Sequence, residues 1–306
     1  MSFIITPFNN MDAEIFASEM KPKISGVDLT LEYENIESSV CKVAEDLIEI
    51  LTEELYEAIC LNKASQDKKL QAKALDYLQR SMLHFCMNEH LIFLVARIKD
   101  DGVTVVKNEN ETTAYKYVQD GLENKFISLG WFWMNKLLQL LEKNAEQFPL
   151  WKDCDTRNDL ADIPIDRTDF AKWVGVRDEY FVVVVRWLIR EAWSDCVTSR
   201  IKDPVKTDAI ARAMCYEVMG RACSRLAFLQ LPEPVRLDIS NEVTKANKDK
   251  EESNVRKRVA SSFTNQAAAY WTALEVQLKN DELKNNPQAR PVYAPPRISE
   301  NDSFVY

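Results

Sequence analysis

Glycine is almost missing from this chain, and that scarcity limits what it can fold into. Six glycines among 306 residues is about 2%, against about 7% in ordinary proteins. Glycine supplies the left-handed backbone of tight turns and lets a main chain approach a phosphate closely. Gly26, Gly102, Gly121, Gly130, Gly175 and Gly220 include no pair spaced as a dinucleotide fingerprint or a Walker A loop, which argues against nucleotide binding by those loops. A chain with so few places to turn is expected to run in long regular segments.

The apolar pattern makes those segments helices. From Asn35 to Leu61, the residues Ile36, Val40, Val43, Leu47, Leu51, Leu55 and Ile59 step by three or four, with Glu45, Glu49, Glu53, Glu54 and Glu57 between them. That spacing predicts an amphipathic helix with an acidic outer face. A second helix is expected to start after Ser65, a good N-cap, and to run through Leu70, Ala74, Leu78, Met82 and Phe85 toward Ile98. The short connection predicts an antiparallel helix pair. A third helix, from about Thr113 to Asn144, carries two stripes. One is Leu122, Phe126, Leu129, Trp133, Leu137 and Leu140; the other is Ile127, Trp131, Met134, Leu138 and Leu141. Two stripes mean burial over a wide arc, so this helix is expected to be central. The run Trp131-Phe132-Trp133 at helical spacing reads as core rather than as a ligand pocket.

Between the second and third helices the pattern changes. Asp100-Asp101-Gly102 breaks the helix, Val103 to Val106 has strand propensity, and Lys107 to Asn110 reads as a turn into Glu111-Thr112-Thr113. A short β-hairpin near 103–113 follows from this. Phe148 to Arg167, with two prolines and several aspartates, has loop chemistry and marks the best internal boundary. Beyond it, helices are expected over Asp178 to Arg200, after an Asp203 cap with Pro204 at the first position, and over Asn247 to Lys279; Val235 to Ile239 alternates as a short strand would. Both halves therefore read helix, helix, strand, helix, which leaves a duplication open. The expected organisation is 1–147 and 148–285 as two helical halves, then an extended Pro-rich arm over 286–306.

The charge of −9 disfavours broad adhesion to nucleic acid or to an anionic membrane. The greasiest stretch, Tyr180 to Ile189, is broken by Arg186 and has half the roughly 20 residues of a membrane span. Met1 to Asn10 lacks the basic and apolar regions of a signal peptide. Seven cysteines without a C-x-x-C pair suit a reducing, cytoplasmic site of synthesis. The two histidines, His84 and His90, lie near Cys86, but two ligands at helical spacing do not make a zinc site. Asp153, Asp155, Asp159, Asp162 and Asp166 lack calcium-loop spacing and read as a solvated acidic loop. Arg256, Lys257 and Arg258 are nearly cancelled by neighbouring Asp249, Glu251 and Glu252. No catalytic residue, metal set or cofactor is expected from these patterns.

Three segments carry a resemblance. They are Tyr33-Glu34-Asn35-Ile36 running into Ala44-Glu45-Asp46-Leu47-Ile48, Asp101 to Val105 continuing through Asn110 to Tyr117, and Trp131-Phe132-Trp133. The chain resembles, most clearly over 25–140, the mainly helical proteins of about this length encoded in structural gene clusters of Bacteroides-type phages and prophages, which are grouped with head–tail connector, adaptor or neck proteins. The resemblance implies a virion protein assembled in the bacterial cytoplasm. It would form a homo-oligomeric ring below the portal, binding portal and tail or neck proteins while DNA passes without specific contact. Docking would then fall to the arm, through Pro291, Val292, Tyr293, Pro295, Pro296, Ile298, Phe304, Val305 and Tyr306, and to the hairpin, through Val103, Val105, Thr112 and Tyr115. Two other readings stay open: an all-α cytoplasmic scaffolding or binding protein without a ring, and a metal-dependent helical enzyme using His84, Cys86 and His90.

Overall fold

A computed structural model describes residues 5–8, 18, 23–24, 33–99, 102–105, 116–201, 204–242 and 248–285. The protein is mainly α. Its helices are α1 (Tyr33–Leu51), α2 (Glu53–Cys60), α3 (Lys68–Val95), α4 (Lys116–Lys143), α5 (Pro149–Lys152), α6 (Asp155–Asn158), α7 (Arg167–Trp173), α8 (Glu179–Val184), α9 (Arg186–Ala192), α10 (Asp208–Arg225), α11 (Glu233–Glu242) and α12 (Lys248–Asn285). A π-helical turn, Trp193–Thr198, continues α9.

Two apolar cores result. In the first, α1 to α3 bury Ile36, Val40, Leu47, Leu51, Leu55, Ile59, Leu78 and Met82 against Phe148, Trp151 and Cys154. In the second, α7 to α12 bury Phe170, Phe181, Leu188, Ile189, Met214, Met219, Ile239 and Trp271. Helix α4 belongs to both. Its Phe126, Met134, Leu137, Leu138 and Leu141 enter the first core, and its Ile127 and Trp131 enter the second. The expected central position of this helix therefore has a definite form, a wide apolar arc divided between two clusters. The stripe Ile127, Trp131, Met134, Leu138 and Leu141 is wholly buried, whereas Leu122 on the other stripe is exposed.

Several boundaries differ from expectation. The first amphipathic segment is two helices, broken at Thr52 (φ 69°), because apolar steps of four cross the break unchanged and nothing in them signals it. The turn after α2 is a Schellman motif with Asn62 in the left-handed region (φ 58°), where Lys63 N–H donates to Ala58 and Asn62 N–H to Ile59. Helix α3 is capped by Asp67, whose Oδ1 accepts from Lys69 and Leu70 N–H at 2.8 and 3.2 Å; Ser65 supports Asp67 instead of capping. Helix α10 is capped by Thr207 Oγ1, which accepts from Ile210 N–H at 3.2 Å, so the helix starts beyond Asp203-Pro204.

Two strand expectations need correction. The hairpin over 103–113 is not supported. Gly102–Val105 pairs backward with Ala96–Lys99 at the end of α3, and residues 106–115 lie outside the described ones. Val235 to Ile239 is helical within α11. Leu231, Val235 and Ile239 are buried and step by four, while Leu237 is 51% exposed, so the helical period explains the burial and the alternation does not. Among the described residues the second half thus has no strand of the kind a helix, helix, strand, helix repeat requires. The arm, 286–306, lies outside the described residues.

The helical glycines mark close approaches. A Cβ on Gly220 of α10 would lie 2.6 Å from Thr264 Oγ1 and 3.3 Å from the Thr264 backbone nitrogen of α12, while a Cβ on Gly121 would meet nothing within 4 Å. Gly220→Ala is expected to destabilise the fold by about 1–3 kcal/mol through overpacking, and Gly121→Ala to stabilise it by about 0.5–1 kcal/mol. Urea unfolding of the two variants measures both signs.

Candidate functional site

The docking residues expected in the arm, and Thr112 and Tyr115 of the expected hairpin, lie outside the described residues. Val103 and Val105 lie in the strand that pairs with Ala96–Lys99. The histidines and Cys86 are packed into or against the first core. Cys86 is fully buried and its thiol is pushed well above the usual range by burial. His84 Nδ1 donates to the Arg80 carbonyl at 2.6 Å, and its ring lies beside Phe126. His90 is buried against Phe93. Burial lowers the pKa of both imidazoles from 6.5. Among the described residues no three His, Cys, Asp or Glu side chains converge as a metal set.

The acidic loop is largely committed to structure. Asp159 forms an ion pair with Arg190 at 3.3 Å, and Asp162 accepts from Arg190 Nη2 at 3.1 Å. Asp166 caps α7 by accepting from Thr168 and Asp169 N–H, and Asp169 accepts in return from Asp166 N–H. Arg256 is also structural. Its guanidinium donates to the carbonyls of Cys223 and Leu226, which satisfies the end of α10 and ties α12 to it.

Two concavities lie at the junction of the two cores, and Trp131 of α4 lines both. On one side lies a cleft of about 620 Å³, with Asp46, Glu49 and Glu89 from α1 and α3 facing Arg186 and Arg225. Trp131 meets Tyr180 edge to face there, with ring centroids 4.3 Å apart. Burial raises the pKa of Asp46 and of the Tyr180 phenol. The arginines are partly engaged: Arg225 pairs with Glu191, and Arg186 lies 3.8 Å from Asp159.

On the other side is a socket of about 220 Å³, lined by Ser128, Phe132, Asn135, Lys136, Gln139, Asp178, Glu233 and Arg236 as well as Trp131. Asn135 clamps the start of α8. Its Nδ2 donates to Asp178 Oδ1 at 2.8 Å, and its Oδ1 accepts from Tyr180 N–H at 2.7 Å. Arg236 is 3% exposed. Its Nη2 donates to Ser128 Oγ at 3.1 Å, while Nε and Nη1 have no partner. Burial lowers its pKa, and the nearby charges of Glu233 and Asp178 act the other way. The aromatic run on α4 splits accordingly: Trp131 is core, Phe132 is 46% exposed at the socket, and Trp133 lies under the Arg80 guanidinium at 4.7 Å.

Neither Asn135 nor Arg236 stands out when the sequence is read for strands and stripes. Once 233–242 is read as a helix, Arg236 follows buried Val235 and precedes buried Ile239 by three. A charge on an apolar face is the available signal.

Among known proteins, residues 42–160 match a family described as a family of unknown function (DUF6712). That stretch runs from within α1 past α6 and takes in α4, less than half of the chain. No curated protein and no solved structure matches the chain. No described helix is long and apolar enough to cross a membrane.

The histidine environment gives a pH expectation. Because burial lowers both imidazole pKa values in the folded state, the unfolded chain takes up protons more readily below about 6.5. This contribution to stability is present above that value and lost as pH falls. The Asp46, Asp178 and Glu179 carboxyls, raised by partial desolvation, act in the opposite sense at lower pH. Urea midpoints of wild type should therefore fall more steeply between pH 7.5 and 5.5 than those of a His84→Gln/His90→Gln double variant. Equal slopes would remove the assignment.

Proposed function

We propose that this protein is a non-enzymatic structural component of a phage virion, a head–tail connector that forms a ring beneath the portal. The observation that carries the reading is the resemblance through Tyr33–Ile48, Asp101–Tyr117 and Trp131–Trp133. Three physical features support it. A framework of long helices on two cores that share α4 gives a stiff unit suited to assembly. The short two-stranded ladder at the end of α3 has strand edges that a neighbouring subunit can extend. The charge of −9 suits a channel that DNA must traverse without adhering, since like charges repel.

In this reading the two-stranded ladder contacts a neighbouring subunit, and the Pro-rich 286–306 segment docks on portal or tail proteins through its apolar residues. The protein acts by assembly, is made in the host cytoplasm and resides in the virion. Mass measurement and negative-stain imaging test this directly. Rings, alone or on purified portals encoded by the same genome, are expected. A protein that stays monomeric and never joins portals would contradict the reading, leaving an all-α scaffolding or binding protein without a ring. Removing 286–306 should leave helical circular dichroism and the melting temperature nearly unchanged while weakening portal binding; unfolding on truncation would make the segment part of the fold.

A further inference from the structure

An arginine buried without its full set of acceptors is costly to keep. Desolvating a guanidinium costs several kcal/mol, and unmade hydrogen bonds to a buried charge add to it. Arg236 is 3% exposed, uses Nη2 on Ser128 and leaves Nε and Nη1 without acceptors. It lines the socket of about 220 Å³ and a smaller adjoining one of about 160 Å³. The neighbouring Asp178 carboxylate already accepts from Asn135, and Glu233 and Asp178 reach Arg236 through their field.

We propose that Arg236 is the base of a binding socket for a small monocarboxylate with an apolar body, a role separate from any assembly function. Nη1 is buried and unpartnered, and together with the second N–H of Nη2 it forms a two-donor edge that matches carboxylate oxygens. The charges select the class. Across the two sockets, which share Ser128, Glu233 and Arg236 in their walls, Arg236, Lys136 and Lys125 stand against Asp178 and Glu233, an excess of a single positive charge that one carboxylate balances and a doubly charged phosphate overshoots. The walls select the body. Trp131 lines the socket on one side, Phe132 is 46% exposed at it, and the Lys136 ammonium stands 5.4 Å from the Phe132 ring centre. An aromatic or branched acid would lie against these rings with its carboxylate on Arg236.

Titration calorimetry and thermal melting of the full-length protein test this with benzoate, benzamide and inorganic phosphate at constant ionic strength. Wild type should bind benzoate saturably in the millimolar range, with benzamide and phosphate at least about tenfold weaker. Arg236→Met should lose the benzoate response while melting no lower than wild type without ligand, since an apolar residue of similar volume removes an uncompensated charge. Lys136→Gln, at an exposed position, keeps the fold and should weaken benzoate by roughly three- to tenfold. If Arg236→Met does not fold, the wild-type and Lys136→Gln titrations decide the matter. No saturable benzoate binding by wild type, undiminished binding by the variants, or phosphate or benzamide binding as tightly as benzoate would overturn the proposal.

Discussion

The two cores of this molecule meet at one helix that is buried on two sides. Helix α4 places Phe126, Met134, Leu137, Leu138 and Leu141 in one core and Ile127 and Trp131 in the other. Phe85 of α3 and Tyr180 of α8 also pack against both clusters, and truncating a buried tryptophan such as Trp131 removes about 3–5 kcal/mol. Polar ties reinforce the same junction. Asn135 of α4 holds both Asp178 and Tyr180 at the start of α8, and Ser81 of α3 donates to the Gly130 carbonyl of α4 at 3.0 Å. A Cβ on Gly130 would lie 2.5 Å from the Phe85 ring, so α3 and α4 meet closely at that residue. A two-sided helix leaves concavities where the cores diverge, which is why the cleft and the Arg236 socket both have Trp131 in their walls.

Much of this was legible in the sequence, for a physical reason. Where one face of a long helix is buried, the 3.6-residue period is written into the apolar positions, as at Ile36 to Ile59 and Ile127 to Leu141. The period names a face but not its partner, so the division of α4 between two cores could not be read from it. Short segments are worse determined. Val235 to Ile239 fits a period of two and a period of four, and only the exposure of Leu237 separates them. Caps moved for a similar reason. Ser65 and Asp67 both have capping side chains ahead of α3, as Asp203 and Thr207 do ahead of α10, and the later residue of each pair caps.

The site was less legible than the fold. Helical spacing accounts for Trp131, whereas Asn135 and Arg236 work through bonds to residues distant in sequence, Asp178 and Ser128. The residues expected to dock partners belong to segments outside the described structure or to the strand end of α3. As proposed, assembly and ligand binding fall in separate parts of the chain, the first at the strand Gly102–Val105 and the segment 286–306, the second at the junction of the cores. His84, His90 and Cys86, which chemistry would single out first, are buried in or against the first core. Burial keeps the imidazoles inclined to neutrality and the Cys86 thiol protonated.

The central claim is that α4 welds the two cores into one unit. Differential scanning calorimetry of the full-length protein tests it most directly, through the ratio of calorimetric to van't Hoff enthalpy. A single transition with a ratio near one is expected. Two resolved transitions, or a ratio near two, would mean that the cores melt independently and that sharing α4 does not join them.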